Sequence, residues 1–286
     1  MLENKISQIK KSSKYTAPKE LTIAGIPAVV VDPHNEVLPY WHDFRERNKE
    51  PAVLFHIDAH SDMGGDIPTF DSGKKPCSSS EMKAYAAGVG IGNFITVGFH
   101  YDLVSSCYWL DSRLSYAINF GKAVKEIEER PRTVEKGNRI YWSDPKKICD
   151  PRSLEFVDLI KDLKSYKGPL ILDIDLDAFE CIGTDDEKPC KGLERMAKTF
   201  ALLRKITTPG LITIARSQNT SSHNPAEFTP PDRVDFLQRM TIKRLKGLYE
   251  EKAALKPIHI DNIKEITHSG LGSSESYVNR LLACKD

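Results

Sequence analysis

Two apolar runs, each ending in carboxylates at alternate positions, constrain this chain more than any other feature. The first is Val53-Leu-Phe55, leading through His56-Ile57 into Asp58-Ala-His60-Ser-Asp62. The second is Pro169-Leu-Ile-Leu172, leading into Asp173-Ile-Asp175-Leu-Asp177-Ala-Phe179. A short, wholly apolar run reads as a strand buried in a parallel sheet, and in such sheets ligands collect beyond the carboxyl ends of the strands. Alternate residues of an extended chain point to one side, so Asp58, His60 and Asp62 converge. The second stretch has the same form. Several carboxylates share one pocket only if they take up protons or a cation neutralises them. Two hard carboxylates and an imidazole at a strand end suit a divalent metal, and two such stretches predict a dinuclear metal centre.

Both stretches must belong to one folding unit to meet, so a single domain over residues 1–286 is expected, with 1–18 as a Lys- and Ser-rich arm. Around them, strand and helix patterns alternate. Leu21–Ala24 and Ala28–Val31 read as a hairpin about Gly25-Ile-Pro27, and Leu38–Arg47 as an amphipathic helix with Pro39 in its first turn. Ser78-Ser-Ser-Glu81 offers a cap for a helix starting near Glu81. Leu110–Glu129 has helical spacing and stops at Pro131, and Arg139–Trp142 reads as a short strand. Helices are expected over Leu154–Tyr166, Leu193–Ile206, Val234–Ala254 and Ser273–Cys284, with strands at Leu211–Ala215 and Asn262–Ile266. The order predicts an α/β fold with a mostly parallel sheet covered by helices on both faces. The loop from Asp66 to Ser80 is long for such a domain, as functional loops often are.

Composition excludes some functions. A net charge of +1 gives no reason to expect nucleic acid or an anionic membrane as partner. No apolar run approaches the roughly 20 residues of a membrane span, and the basic N-terminus lacks the apolar segment of a secretory signal. A soluble cytoplasmic protein is expected. The six cysteines are scattered without a Cys-x-x-Cys pair, which argues against a zinc ribbon; Cys181 and Cys190 flank an acidic loop and are placed to pair if oxidised.

Two further candidates stand out. His34 sits just past a strand, the second run of the hairpin, within Asp32-Pro33-His34-Asn35-Glu36, and His100 ends the apolar run Ile95–Phe99. Gly88, Gly90 and Gly92 read as close packing or a turn near the site, since the strand–turn–helix context of a nucleotide loop is missing. Other metal chemistries fit less well. A calcineurin-type metallophosphatase also begins with Asp-x-His, but Gly65-Asp66 lies too close behind His60 and Gly92-Asn93 is followed by Phe94 in place of a histidine. A zinc deacetylase places two adjacent histidines as its acid and base, and no two histidines adjoin here.

Asp58-Ala-His60-Ser-Asp62 resembles the Asp-Ala-His-x-Asp motif of the ureohydrolase (arginase/agmatinase) superfamily. Asp175-Leu-Asp177-Ala-Phe179 resembles its second motif, with Glu180 where that motif has a further Asp and Asp173 where a Ser is usual. His34 is similar in order and spacing to the superfamily's first metal-binding histidine. More closely, His34-Asn-Glu-Val-Leu-Pro-Tyr-Trp41, His56-Ile-Asp-Ala-His-Ser-Asp62, Ile91-Gly-Asn-Phe94 and Leu172–Phe179 resemble an arginase-like family that includes peptide arginases, which convert arginine to ornithine within ribosomally made peptides. The resemblance spans roughly residues 26 to 240.

It implies a three-layer α/β/α arginase-like fold and two Mn²⁺ ions, although such ligands do not exclude other divalent ions. One ion would be held by His34, Asp58, Asp62 and Asp175, the other by His60, Asp58, Asp175 and Asp177, with Asp58 and Asp175 bridging. Asp62 would relay a proton, Glu227 would orient the guanidinium, and His100 stands as a second-tier catalytic candidate. The superfamily's arginases grip the α-groups of free arginine partly with an Asn two residues past the first motif. That position is Gly64 here, followed by Gly65. Glycines there would let a substrate backbone approach, so the implied substrate is an arginine-containing peptide. The alternatives are a small-molecule ureohydrolase of arginase or agmatinase type, and a non-catalytic metal-binding scaffold.

Overall fold

The computed structural model describes residues 17–64, 66–68, 76–113, 117–120, 134–135, 139–141, 151–181, 189–218 and 229–255. Strands β1 (Lys19–Ile23) and β2 (Ile26–Val31) form the expected hairpin around Ala24-Gly25. Both turn residues have positive φ, 49° and 84°, the twist that a two-residue hairpin needs. After a 3₁₀ turn at His34–Val37 comes α1 (Leu38–Asn48), closed by Lys49 in a left-handed conformation. The first motif strand is β3 (Ala52–Ile57), followed by β4 (Asp66–Pro68). Helix α2 (Ser79–Ala86) starts two residues earlier than the sequence suggests. Ser78 caps it by accepting from Glu81 N, while the Glu81 carboxylate accepts from Cys77 N.

Helix α3 (Phe94–His100) precedes strands β5 (Val104–Leu110) and β6 (Ala117–Phe120). The helix expected from Leu110 is therefore corrected over its described part. Cys107, Tyr108 and Trp109 pair antiparallel with Phe120, Asn119 and Ile118, and aromatic and β-branched residues favour that pleated surface. Short strands β7 (Val134–Glu135), β8 (Arg139–Tyr141) and β9 (Pro151–Leu154) lead to α4 (Phe156–Lys164). The second motif strand is β10 (Leu170–Asp175), closed by a 3₁₀ turn at Leu176–Ala178. Then follow α5 (Pro189–Leu203), β11 (Leu211–Ala215) and α6 (Val234–Ala254). The arm at 1–16, the expected elements after residue 255, and most of the loops at 66–80 and 216–231 lie outside the described residues.

Eight strands form the main sheet in the order β1-β2-β11-β10-β3-β5-β6-β9. The five from β2 to β5 are parallel, whereas β1, β6 and β9 pair antiparallel at the edges. Only six residues separate β5 from β6, too few for a parallel crossover of a dozen or more, so the alternation of strand and helix breaks there. One face carries Phe55, Leu172 and Ile212 against α4, α5 and α6 through Leu159, Leu203 and Leu237. The other carries Leu54, Ile171 and Leu211 against Trp41 of α1, Met82 of α2 and Phe94 of α3. The α/β fold, three-layered with a parallel centre, is as expected. By internal contacts the chain divides into two units, Met1–Tyr249 and Glu250–Asp286. All site residues below lie in the first. Among the described residues, no helix is long and apolar enough to cross a membrane.

Candidate metal centre

The site grows out of the strand register. On the face covered by α1, α2 and α3, Leu54 of β3 stands beside Ile171 of β10, which stands beside Leu211 of β11. Two residues further along, on the same face, the row is His56, Asp173 and Thr213. Two further again, the strands run out at Asp58, Asp175 and Ala215. An apolar row thus gives way to a closed polar row and then to an acidic rim.

The polar row is satisfied within itself. Asp173 Oδ2 accepts from His56 Nδ1 at 2.8 Å and from His34 Nε2 at 3.0 Å, and Asp173 Oδ1 accepts from the Thr213 hydroxyl. His56 Nε2 lies 3.2 Å from the His60 carbonyl and 3.4 Å from Asp58 Oδ2. Both His56 nitrogens face only acceptors, so the ring carries both protons. Burial opposes that charge, but Asp58 and the hydrogen bond to Asp173 outweigh it and raise the His56 pKa. Burial likewise works against the Asp173 anion, yet His34 and His56 hold it well below the usual carboxylate range.

The acidic rim is not satisfied. His34 Nδ1 lies 3.0 Å from Asp175 Oδ2 and 3.4 Å from both Asp58 Oδ2 and Asp62 Oδ2. Neither His34 Nδ1 nor Asp58 Oδ2, both buried, makes a hydrogen bond of good geometry. On the other side, His60 Nδ1 lies 3.1 Å from Asp177 Oδ2 and 3.4 Å from Asp58 Oδ1. The two oxygens of Asp58 therefore face different histidines. Metal–ligand bonds of about 2.1 Å set neighbouring donor atoms roughly 3 Å apart, which is the spacing of both groups. Asp58, Asp175 and Asp177 lie within reach of one common ion.

Electrostatics agree with a cation here. Burial, then the charge of Asp58, pushes Asp62 up to about 7, and burial, then Asp175, holds Asp177 well above the carboxylate range. Burial disfavours the charged ring of His60, but hydrogen bonds to Asp177 and Asp58 lift its pKa to about 12. Without a cation the rim has to be held together by protons; a divalent ion in each group replaces them and engages deprotonated ligands. The donor set fits two ions.

Backbone placement supports the rim. Asp62 takes a left-handed φ of 48° where the chain leaves the site. Ser217, just beyond β11, has φ 49° and donates its hydroxyl to Asp175 Oδ2. His60 N donates to Asp58 Oδ1 at 2.7 Å and Asp177 N to Asp175 Oδ1 at 3.0 Å. The Phe94 ring lies over His34 at 4.4 Å between centroids and in turn meets Trp41 at 5.5 Å. The rim opens into a cleft of about 410 Å³ lined by His60, Asp62, Met63, Gly64, Ile91 and Ser217, among others. A larger depression of about 730 Å³, lined by β1, β2 and α1 residues, contains none of the rim.

All six metal-ligand candidates, His34, Asp58, His60, Asp62, Asp175 and Asp177, come together. Gly64 lines the cleft, but its missing side chain answers to the chain itself. Gly64 N donates to Gly92 O at 2.6 Å, and a Cβ at Gly64 would lie 2.6 Å from the same oxygen. His100 is not part of this constellation. Ile95, at the start of α3, bonds to Asp62 O, whereas Leu103, just past its end, bonds to Ala52 N at the opposite end of β3. His100 instead packs edge-on against Tyr101. Glu227 and Gly65 lie outside the described residues, and Asp66 is described only as part of β4. The pairing of Cys181 with Cys190 likewise rests on a side chain outside them.

Four participants have no role in the motif reading: His56 and Asp173, which stand inside the motifs, and Thr213 and Ser217, which stand outside them. The i−2 spacing of His56 from Asp58 and of Asp173 from Asp175 was the available signal. Cys181 is a fifth, with its sulfur close enough to the His60 and Asp177 donor atoms to share an ion.

No family model matches the chain, and no curated protein matches it. Several solved structures are similar to it, two of them as follows. One is described as a hypothetical agmatinase from Burkholderia thailandensis, at 14% identity and a TM-score of 0.43, over 88% of this chain and 67% of that one. The other is a proclavaminate amidino hydrolase from Streptomyces clavuligerus, at 18% identity and a TM-score of 0.38, over 77% of this chain and 63% of that one. The chain thus spans about two thirds of the length of each.

Proposed function

We propose that this chain is a dinuclear metal hydrolase that cleaves the guanidinium group of an arginine residue within a peptide, leaving ornithine and releasing urea. One observation carries the reading. The two oxygens of Asp58 face His34 on one side and His60 on the other, at 3.4 Å each, the geometry of a carboxylate shared by two ions.

When bound, a pair of divalent ions, Mn²⁺ by the resemblance of the motifs, supplies a hydroxide at neutral pH and neutralises the rim. The chain's own residues do the rest. Asp58 and Asp175 fix the spacing of the two positions. Asp62, partly exposed at the cleft wall, is placed to receive a proton from the nucleophile and pass it to the leaving nitrogen. A guanidinium is planar and is best oriented by a carboxylate fork; Glu227 is assigned that part. Among the described residues that line the cleft, none carries a positive charge apart from the histidines. A free α-carboxylate would therefore be desolvated there without a partner, whereas the neutral carbonyl of a peptide would not.

The test is a competition between free arginine and an arginine-containing peptide blocked at both ends, with Mn²⁺ present. Urea release and the conversion of arginine to ornithine by mass are followed. The proposal expects the peptide to be converted faster. Conversion of free arginine or of agmatine alone, agmatine being assayed in parallel, would replace it with a small-molecule ureohydrolase, and no urea from any of the three, with metal bound, would leave a scaffold.

A further inference from the structure

The row beneath the metal centre is more than packing. We propose that Asp173 is a positioning residue for both metal positions: it fixes the His34 ring directly and, through His56, the backbone that presents His60. The inference rests on the dinuclear reading above and extends it to residues that touch no ion.

Donor and acceptor roles decide the argument. Asp173 accepts from His34 Nε2 at 3.0 Å. A carboxylate cannot donate, so the Nε2 proton stays on the ring, and Nδ1, which faces Asp58, Asp62 and Asp175, is the nitrogen whose lone pair becomes available when an ion displaces its proton. A metal-binding histidine needs that tautomer and orientation, and the partner of its other nitrogen sets both. The same Asp173 oxygen accepts from His56 Nδ1 at 2.8 Å, and His56 Nε2 reaches the His60 carbonyl at 3.2 Å. His60 Nδ1 then faces Asp58 and Asp177. Thr213 occupies the second Asp173 oxygen from β11. Asp173, His56 and Thr213 are each 0% exposed, so bulk solvent does not reach a lost partner's place. One carboxylate thereby links a ligand of the first position to the loop that carries a ligand of the second.

The test uses the full chain, stripped of metal and titrated with Mn²⁺, with free Mn²⁺ read by electron paramagnetic resonance. Wild type should bind two ions. Asp173→Asn keeps the shape but removes the negative charge that holds both ring protons, and its N–H₂ must face either the two rings or the Thr213 hydroxyl, so Mn²⁺ affinity should fall about 10–100-fold. At saturating Mn²⁺ the KM for the guanidinium substrate should be unchanged. In the Zn²⁺-loaded protein, ¹⁵N imidazole shifts should report His34 as bound through Nδ1 with a proton on Nε2. Thr213→Val, which leaves the charge and removes one hydrogen bond, should weaken Mn²⁺ binding in the same direction by a few-fold, and it serves if Asp173→Asn does not fold. A folded Asp173→Asn that binds two ions as tightly as wild type would overturn the proposal, as would an unchanged Thr213→Val. Wild type binding no metal would instead overturn the dinuclear reading itself.

Discussion

Two neighbouring rows of side chains, spaced by one alternation along the same strands, behave in opposite ways. In the inner row His56, Asp173 and Thr213 satisfy one another, with the charges of His56 and Asp173 paired at 2.8 Å. In the outer row Asp58, Asp175 and Asp177 crowd together, and two buried atoms there, His34 Nδ1 and Asp58 Oδ2, make no good hydrogen bond. Both rows are buried and both are rich in carboxylates. The difference is stoichiometric: the inner row has a proton donor for every acceptor it presents to its neighbours, and the outer row has too few. A buried polar cluster that is closed stabilises and orients, whereas one that is short of positive charge awaits an ion.

The sharpest way to break this contrast is Asp175→Ala. It removes an outer-row ligand common to both positions, so turnover should fall by more than the 10–100-fold typical of supporting partners, and metal per chain after dialysis should drop. Wild-type metal content and turnover would mean the outer row is not the metal centre. Next in size is Glu227→Gln, which should leave both rows and the metal content intact while slowing turnover about 100-fold through loss of the orienting charge. A mutant as fast as wild type moves the anchor elsewhere, with Glu36 and Asp66 the next carboxylates to change.

A third prediction separates the rows by pH. Asp62, near 7, Asp177, His34, His56 and His60 all have raised pKa values in the folded metal-free chain. A raised group binds more protons folded than unfolded, so its contribution is full at low pH and is lost as pH rises through the folded value. Asp58 and Asp173, both lowered, are already ionised in either state above pH 5. The metal-free chain should therefore melt lower at pH 8 than at pH 5, and Mn²⁺ should reverse that order because it engages deprotonated ligands. A metal-free melting point that rises from pH 5 to 8 would contradict the charge deficit of the outer row. The smallest effect belongs to Gly64→Ala. Its Cβ meets Gly92 O at 2.6 Å, so the chain should lose about 1–3 kcal/mol of stability while still binding two ions. Unchanged stability would show that the space at Gly64 is open, and would return it to the substrate.

The outer row was legible in the sequence because its signal is local. Alternating carboxylates after an apolar run identify themselves, and so do β3, β10 and β11, which are buried throughout. The inner row was not, because its meaning lies across strands: nothing local to Asp173 says that His56 stands on one side and Thr213 on the other. His34 was found by its place after a strand, but its orientation comes from Asp173, 139 residues away. His100 stands apart for the converse reason. It ends an apolar run as the candidate ligands do, but Phe94–His100 is a helix that runs from the Asp62 end of β3 toward its Ala52 end. Strand β6 and the last residue of β5 fell under the helical pattern read from Leu110 to Glu129.

The central claim is that the outer row holds two ions shared by Asp58. Anomalous diffraction from crystals grown with Mn²⁺ tests it most directly. The account predicts two peaks about 3.5–4 Å apart, one between His34 and Asp58 and the other between His60 and Asp58. A single peak, or none at full Mn²⁺ saturation, would contradict it.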